Sequence, residues 1–263
     1  MIKTFFIAIA LSGCQTVSAL SDCAIDNLQQ AAPPIYDGNK AICFMLKPLT
    51  DESGRNPSNE EPQVSIYIYN QNGEHENLDD LPYLAGTGKV RGSFFLDANN
   101  DGNSDIFVIH SIEIRSDTGE NYVSDYYTVS VYTENGGKYE RNEKISKWFG
   151  TGGDIAEPID QTNKDYNIIY EFPYKTKESI ESSINSPIYQ NWLSGRQLSG
   201  TIREKASLHS FPVVADKTRS YLIAEDRVII KSETAGWCEI QYLSESNELI
   251  NMWTECTKIH FDQ

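Results

Sequence analysis

A run of acidic and turn-forming residues, DANNDGNSD at positions 97–105, is the feature that most restricts the fold of this chain. It stands between two apolar segments, GSFFL and IFVIH, that are rich in aromatic and β-branched residues. Such residues favour strands, whereas Asn, Asp and Gly favour the tight turn between two strands. The segment therefore predicts a β-hairpin and, with it, an antiparallel sheet.

The loop of this hairpin also predicts a metal site. It reads D-x-N-x-D-G-x-x-D, and Ca²⁺ takes about six to eight oxygen ligands. Position 108 is Val, where a helix-loop-helix calcium hand carries a bidentate Glu, so the site belongs to a hairpin instead. The alternative is an acidic turn that binds no ion. The predicted ligands are Asp97, Asn99, Asp101, Asn103 through its backbone carbonyl, and Asp105.

Strand patterns recur along most of the chain. They cover residues 64–69, 90–96, 106–114 and 126–132, and later 227–231, 237–243 and 253–259. Residues 175–193 have a helical spacing of apolar residues that Pro187 interrupts, so two short helices are the alternative to one. We predict a mainly β fold, with an antiparallel β domain at 20–200 and a second module at 201–263. Gly195 and Gly200 bracket the predicted linker.

The N-terminus predicts export from the cytoplasm. MIKTFFIAIALSG has a Lys and then an apolar run that is too short to cross a bilayer, which takes about 20 residues. Residues 1–19 are interpreted as a signal peptide with a lipobox at 11–14, in which Cys14 carries lipid. Cleavage after Val17-Ser18-Ala19 is the alternative. The lipobox predicts a periplasmic protein anchored to the outer membrane, and ordinary cleavage predicts a soluble periplasmic or secreted one.

The cysteines suit an oxidising compartment. The chain has 5 Cys, and four remain without Cys14, an even number. Three pairings are possible, and the spacing favours the two local ones, Cys23 with Cys43 and Cys238 with Cys256. A structural zinc site is the weaker alternative, because no C-x-x-C occurs and the four His are scattered.

Charge and motifs exclude several classes of function. Lys and Arg number 22 and Asp and Glu 38, which gives a formal net charge of −16. This balance argues against a nucleic-acid partner and against a polybasic membrane surface, so membrane contact is expected only through a lipid anchor. The chain lacks the G-x-S-x-G, H-E-x-x-H, Walker and G-x-G-x-x-G motifs. We therefore predict no catalytic or cofactor-binding residue, and a protein that is not an enzyme.

Residues 92–109 and the following segment YTVSVYTENGGKYERNEKIS resemble known calcium proteins. The first segment looks like the calcium hairpin of FG-GAP/VCBS-type repeats. Both together more closely resemble a family of small periplasmic lipoproteins of bacteria, which bind calcium and act as inhibitors or immunity proteins against lysozyme-like antibacterial effectors. The resemblance implies Ca²⁺ as the ion, the five loop ligands above, and a toxic hydrolase as the partner.

The C-terminal segments YLIAEDRVII, GWCEIQY and MWT are similar to successive strands of bacterial SH3 domains. This resemblance implies a small SH3-like β-barrel at 201–263. Trp237 and Trp253 are interpreted as core residues of this barrel, with ligand stacking as the alternative. Some such domains bind peptidoglycan. The sequence thus predicts an exported calcium-binding inhibitor or immunity protein and, as the alternative, an envelope lipoprotein that binds peptidoglycan through its SH3-like domain.

Overall fold

The computed structural model describes residues 23–50, 61–70, 72–84, 86–114, 121–159, 166–244 and 246–262. Strands account for 53% and helices for 13% of the structure, and the sheets are antiparallel, so the predicted mainly β class is confirmed. The predicted signal peptide, its lipobox and Cys14 lie outside these residues. No helix within the described ranges has the length and apolar character needed to cross a membrane.

Strands dominate the described part of the chain. In chain order they are β1 (Gln29–Asp37), β2 (Lys40–Lys47), β3 (Gln63–Asn70), β4 (His75–Asp80), β5 (Lys89–Leu96), β6 (Asp105–Ile112), β7 (Tyr126–Asn135), β8 (Lys138–Arg141), β9 (Thr151–Gly152), β10 (Ile155–Pro158), β11 (Tyr166–Tyr170), β12 (Leu198–Ile202), β13 (Ala206–His209), β14 (Lys217–Leu222), β15 (Arg227–Thr234), β16 (Trp237–Leu243), β17 (Leu249–Glu255) and β18 (Ile259–Phe261). The helices are α1 (Glu143–Phe149), α2 (Lys177–Ile184) and α3 (Pro187–Leu193), with single 3₁₀ turns at Val214–Asp216 and Cys256–Lys258.

Two antiparallel sheets form the N-terminal part of the molecule. The first has the order β1-β2-β3-β4, and the second has the order β5-β6-β7-β8, with β9 beside β7. Strand β6 is buried along its whole length because both of its faces are covered. Val108 packs with Phe44 of the first sheet, and Phe107 packs on Phe149 of α1. Strand β6 therefore holds the end of the predicted calcium loop rigidly.

The predicted helical segment 175–193 forms two helices that meet near Pro187, as the interrupted spacing indicated. Pro187 lies in the first turn of α3, where its missing N–H costs no hydrogen bond. The Ser186 side chain caps this helix by accepting a hydrogen bond from Tyr189 N at 3.2 Å. Tyr189 is fully buried and packs edge-on against Trp148 of α1. The short helices thus cover the open face of the second sheet.

The C-terminal residues form a seven-stranded sheet of order β14-β13-β17-β16-β15-β12-β18. The predicted linker between Gly195 and Gly200 is wrong at its C-terminal end. Gly200 lies within strand β12, which pairs with β15 on one side and β18 on the other. A Cβ atom at this position would stand 2.6 Å from the carbonyl oxygen of His260. Gly is therefore needed at this position for close approach of two backbones, and not for a flexible connection.

Both predicted disulfides are present. The Cα atoms of Cys23 and Cys43 are 6.0 Å apart, and those of Cys238 and Cys256 are 5.0 Å apart. The first bond ties the segment before β1 to the centre of β2. The second bond ties β16 to the 3₁₀ turn after β17. Each bond closes a loop within one part of the fold, as the spacing suggested.

The C-terminal sheet shares a core with the second sheet. The Tyr170 ring of β11 stacks on the indole of Trp237 with centroids 5.5 Å apart. The Tyr170 hydroxyl donates a hydrogen bond to the carbonyl oxygen of Ala235 at 2.5 Å. Trp237 is 2% exposed and therefore a core residue, and the partly exposed Trp253 packs against the same cluster. This cluster is the one shared with the second sheet, whereas the predicted place of both residues was the core of the C-terminal barrel itself.

Candidate metal centre

The predicted calcium loop joins β5 to β6 at one end of the second sheet. Leu96 and Asp105 face each other as the last pair of the hairpin ladder. Two loop residues have a positive φ, Asn100 at 59° and Gly102 at 86°. Asn and Gly adopt this left-handed backbone at low cost, which explains the sharp reversal of the chain.

Side chains on the solvent side of the loop accept hydrogen bonds from its own backbone. Asp97 accepts from Asp101 N through Oδ1 at 3.2 Å and from Gly102 N through Oδ2 at 3.0 Å. Asn99 Oδ1 accepts from Asp101 N at 3.1 Å, and Asp101 Oδ1 accepts from Asn103 N at 2.8 Å. The oxygens of three predicted ligands therefore turn toward the interior of the loop. The hydrogen bonds from the Asn103 backbone and the Asn99 side chain lower the pKa of Asp101.

Asp105 forms the inner wall of the loop. Its side chain is fully buried, and its two oxygens accept hydrogen bonds from Ala98 N at 2.8 Å and Glu134 N at 3.0 Å. Burial, with a smaller contribution from the negative charges of Asp101 and Asp97, raises the pKa of this carboxyl to about 6, although its two backbone hydrogen bonds act in the opposite direction. A cation in the loop would offset both effects, because it would neutralise the charge that burial and repulsion disfavour.

Contacts from distant parts of the chain hold the loop in place. The Tyr189 hydroxyl of α3 donates to Ala98 O at 2.7 Å, and Asn100 Nδ2 donates to Gln190 Oε1 at 2.6 Å. The Tyr139 hydroxyl of β8 reaches Ser104 O at 3.3 Å. Sequence reasoning missed these residues, because no local pattern links a helix or a strand to a loop 35 to 91 positions earlier.

In one respect the loop differs from a complete shell of calcium ligands. Its three aspartates do not bring one oxygen each within 4.8 Å of one another. Among the described residues, the acid, thiol and imidazole groups that do meet this distance belong to Glu233, Cys238 and Cys256. Both sulfurs of that second group are in a disulfide, so it offers no thiolate to a metal. The loop supplies only oxygen ligands, and oxygen ligands suit Ca²⁺.

The histidines are spread over the structure, as in the sequence, and three have clear polar partners. The ring of His75 lies 3.2 Å from Asp26 Oδ2. His110 Nε2 donates to Thr87 O at 3.1 Å, and His209 Nδ1 donates to Val213 O at 3.0 Å. Burial lowers the pKa of both His110 and His209. These three rings therefore hold loops in place.

Comparison of the chain with models of protein families, with curated proteins and with solved structures gives no match. The resemblances to calcium proteins and to SH3 domains therefore rest on the quoted segments alone.

Proposed function

We propose that this chain is an exported, calcium-binding inhibitor or immunity protein that binds a cationic hydrolase of the cell envelope. The loop of Asp97, Asn99, Asp101, Asn103 and Asp105 carries the proposal, because it offers the set of oxygen ligands that the resemblance to calcium-binding immunity lipoproteins requires. The two disulfides support an oxidising compartment such as the periplasm. In this proposal the N-terminal segment, with Cys14 as a lipid attachment point, brings the chain there.

Calcium has a stabilising role in this proposal. The ion would lie between the solvent-side oxygens of Asp97, Asn99 and Asp101 and the buried carboxylate of Asp105. The same loop leads into β6 at Asp105 and contacts α3 through the hydrogen bond from Tyr189 to Ala98. Calcium would then fix the relation of the second sheet to the helices that cover it. It would not take part in chemistry, and the chain would act by binding.

The charge of the chain supports a cationic partner. The formal net charge is −16, and hydrolases that act on anionic cell-wall polymers gain substrate affinity from a positive surface. Opposite net charges raise the association rate of two proteins, and dissolved salt reduces this gain by screening. The proposal therefore makes a prediction about ionic strength.

We expect the affinity of the mature chain for a lysozyme of net positive charge to fall about tenfold or more between about 50 and 300 mM NaCl, mainly through a slower association rate. Surface plasmon resonance at both salt concentrations measures the two rate constants, with an acidic hydrolase of similar size as the control. An affinity that does not change with salt would contradict electrostatic recognition. Absence of binding and of inhibition across a panel of cationic cell-wall hydrolases would contradict the function.

A second candidate function is binding of peptidoglycan by the SH3-like sheet. A groove beside this sheet favours it, and its lining includes Tyr126, Tyr170, Pro212, Val213 and Trp237. Aromatic rings are suitable platforms for sugar and peptide groups, and among these rings the groove offers the partly exposed Tyr126, because Tyr170 and Trp237 are buried. This function predicts that the full chain sediments with purified peptidoglycan and that Val213→Asp, at the groove, reduces the bound fraction severalfold. The inhibitor function predicts that neither the unaltered chain nor the Val213→Asp variant sediments with peptidoglycan.

A further inference from the structure

The hairpin of β10 and β11 is a two-stranded sheet of its own. Glu157 pairs with Asn167, and Pro158 pairs with Tyr166. Apart from an isolated bridge between Tyr122 and Ile155, the hairpin pairs with no other strand in the ranges that the structure describes. Its outer part, at residues 157–158 and 166–167, therefore has two backbone edges that no described strand pairs with, a feature that proteins usually cover or shorten.

The outer part of this hairpin exposes an apolar face. Side chains alternate between the two faces of a strand, so Tyr166 and Ile168 share one face with Pro158, while Glu157 and Asn167 lie on the other. Tyr166 is 57% exposed and Ile168 is 56% exposed. This alternation holds over Tyr166–Ile168, whereas Ile169, the next residue of the strand, packs against the core. An apolar face of a strand normally lies in a core. In this hairpin that side is turned to solvent, as expected for a surface that a partner covers.

The base of the hairpin is rigid. On one strand, Ala156 is buried and its N–H donates to Asn121 O at 3.0 Å. On the other strand, Tyr170 stacks on Trp237 and donates to Ala235 O. The exposed face is thus held in a fixed direction and loses little conformational entropy when it binds, which favours tight association.

The net negative charge of the chain indicates the kind of partner. Two copies of this chain would each bring a formal charge of −16, so pairing of one hairpin with another is opposed by repulsion. A cationic protein has no such penalty and gains from steering. We propose that the outer β10–β11 hairpin, through Tyr166 and Ile168, is the contact element that this chain places against a cationic protein partner. This inference rests on the proposed function and deepens it by naming the inhibitory surface.

The test compares two double variants of the full mature chain. Tyr166→Ser with Ile168→Ser removes the apolar face of the hairpin. Leu243→Ser with Leu249→Ser is the matched control, because these two residues form a cross-strand pair in the C-terminal sheet and are 53% and 64% exposed. The probe is a panel of cationic cell-wall hydrolases: a lysozyme, a lytic transglycosylase and an amidase. Affinity and residual hydrolase activity are measured, and melting temperatures verify that each variant is folded.

We expect the hairpin variant to bind about 10- to 100-fold more weakly than the unaltered chain, as for the loss of central apolar contacts in an interface. The control variant should bind like the unaltered chain. Equal binding by both variants would overturn the inference and leave the proposed function intact. If the unaltered chain binds no member of the panel, the proposed function fails and the inference fails with it. Dimers of the unaltered chain that the hairpin variant abolishes would assign the face to self-association and also overturn it.

Discussion

Replacing Glu233 with Gln is expected to raise the free energy of unfolding at pH 8 by about 3 kcal/mol, and to change it little near pH 4. Glu233 lies on β15 and is 8% exposed. Burial raises the pKa of its carboxyl to about 7. The side chain therefore resists ionisation in the folded protein, whereas in the unfolded chain it ionises near its usual pKa of about 4.3.

The surroundings of Glu233 explain why its charge is not compensated. The Tyr174 hydroxyl donates a hydrogen bond to Glu233 Oε1. Tyr174 accepts a hydrogen bond from Ser183 Oγ at 3.4 Å, and Ser183 Oγ accepts one from Trp148 Nε1 at 3.2 Å. The sulfurs of the disulfide between Cys238 and Cys256 lie within 4.8 Å of the Glu233 carboxyl. No cationic side chain forms an ion pair with Glu233 in the described residues, so one hydrogen bond is left to oppose the cost of burial.

The direction of the pH effect follows from proton linkage. Between about pH 4.3 and the folded pKa of about 7, the folded state keeps the proton on Glu233 and the unfolded state releases it. The stability that the protonated Glu233 side chain contributes is fully present below this pH range and is lost as the pH rises through it. Gln is neutral at every pH and can still accept the hydrogen bond from Tyr174, so the variant should not show this loss.

Urea unfolding at pH 4, 6 and 8 measures the effect as the difference between the two proteins at each pH. The difference matters because Asp105, His110 and His209 also have shifted pKa values and change the stability of both proteins equally. Glu248→Gln, at an exposed position before β17, is the control and should leave the pH profile unchanged. A constant difference between Glu233→Gln and the unaltered chain from pH 4 to pH 8 would show that Glu233 is ionised in the folded state.

Calcium is expected to raise the melting temperature of the unaltered chain by about 5–10 °C between chelator and about 10 mM CaCl₂. The size follows from mass action. A dissociation constant of about 10⁻⁴ M, at the weak end where extracellular calcium sites lie, gives about 2.7 kcal/mol at a hundredfold excess of the ion. The predicted set lacks a bidentate Glu at position 108, which places it in this weaker range.

Asp101→Ala should abolish the calcium-dependent rise in melting temperature. The substitution removes one carboxylate from the loop and leaves Asp105 with its two backbone donors. Glu140→Ala is the matched control, since it removes one negative charge from an exposed position on β8 of the same sheet. Differential scanning calorimetry in chelator, MgCl₂ and CaCl₂ measures the shift. If the melting temperature of the unaltered chain does not respond to Ca²⁺, the metal assignment is wrong and the loop is only a polar turn.

Local patterns predicted much of the architecture. The hairpin around Asp97 and Asp105 could be predicted because turn chemistry and strand propensity act between neighbours in the chain. The break at Pro187 could be predicted because the proline ring cannot continue a helix. The two disulfides could be predicted because four cysteines at local spacings leave few pairings. Helix α1 was missed, because its seven residues are too few for a clear period.

The sequence by itself determined the elements with local causes: the antiparallel hairpin, the interrupted helix, the disulfide pairing and the net negative charge. Only the tertiary structure decided which side chains are buried and which are exposed. Glu233 resists ionisation because distant segments close over it, and the Tyr189 hydroxyl holds the loop of residues 97–105 through Ala98, 91 positions earlier in the chain. Tyr166 remains exposed because no other described strand covers its face. Burial depends on contacts between residues far apart in the chain, and such contacts leave no periodic trace in the sequence.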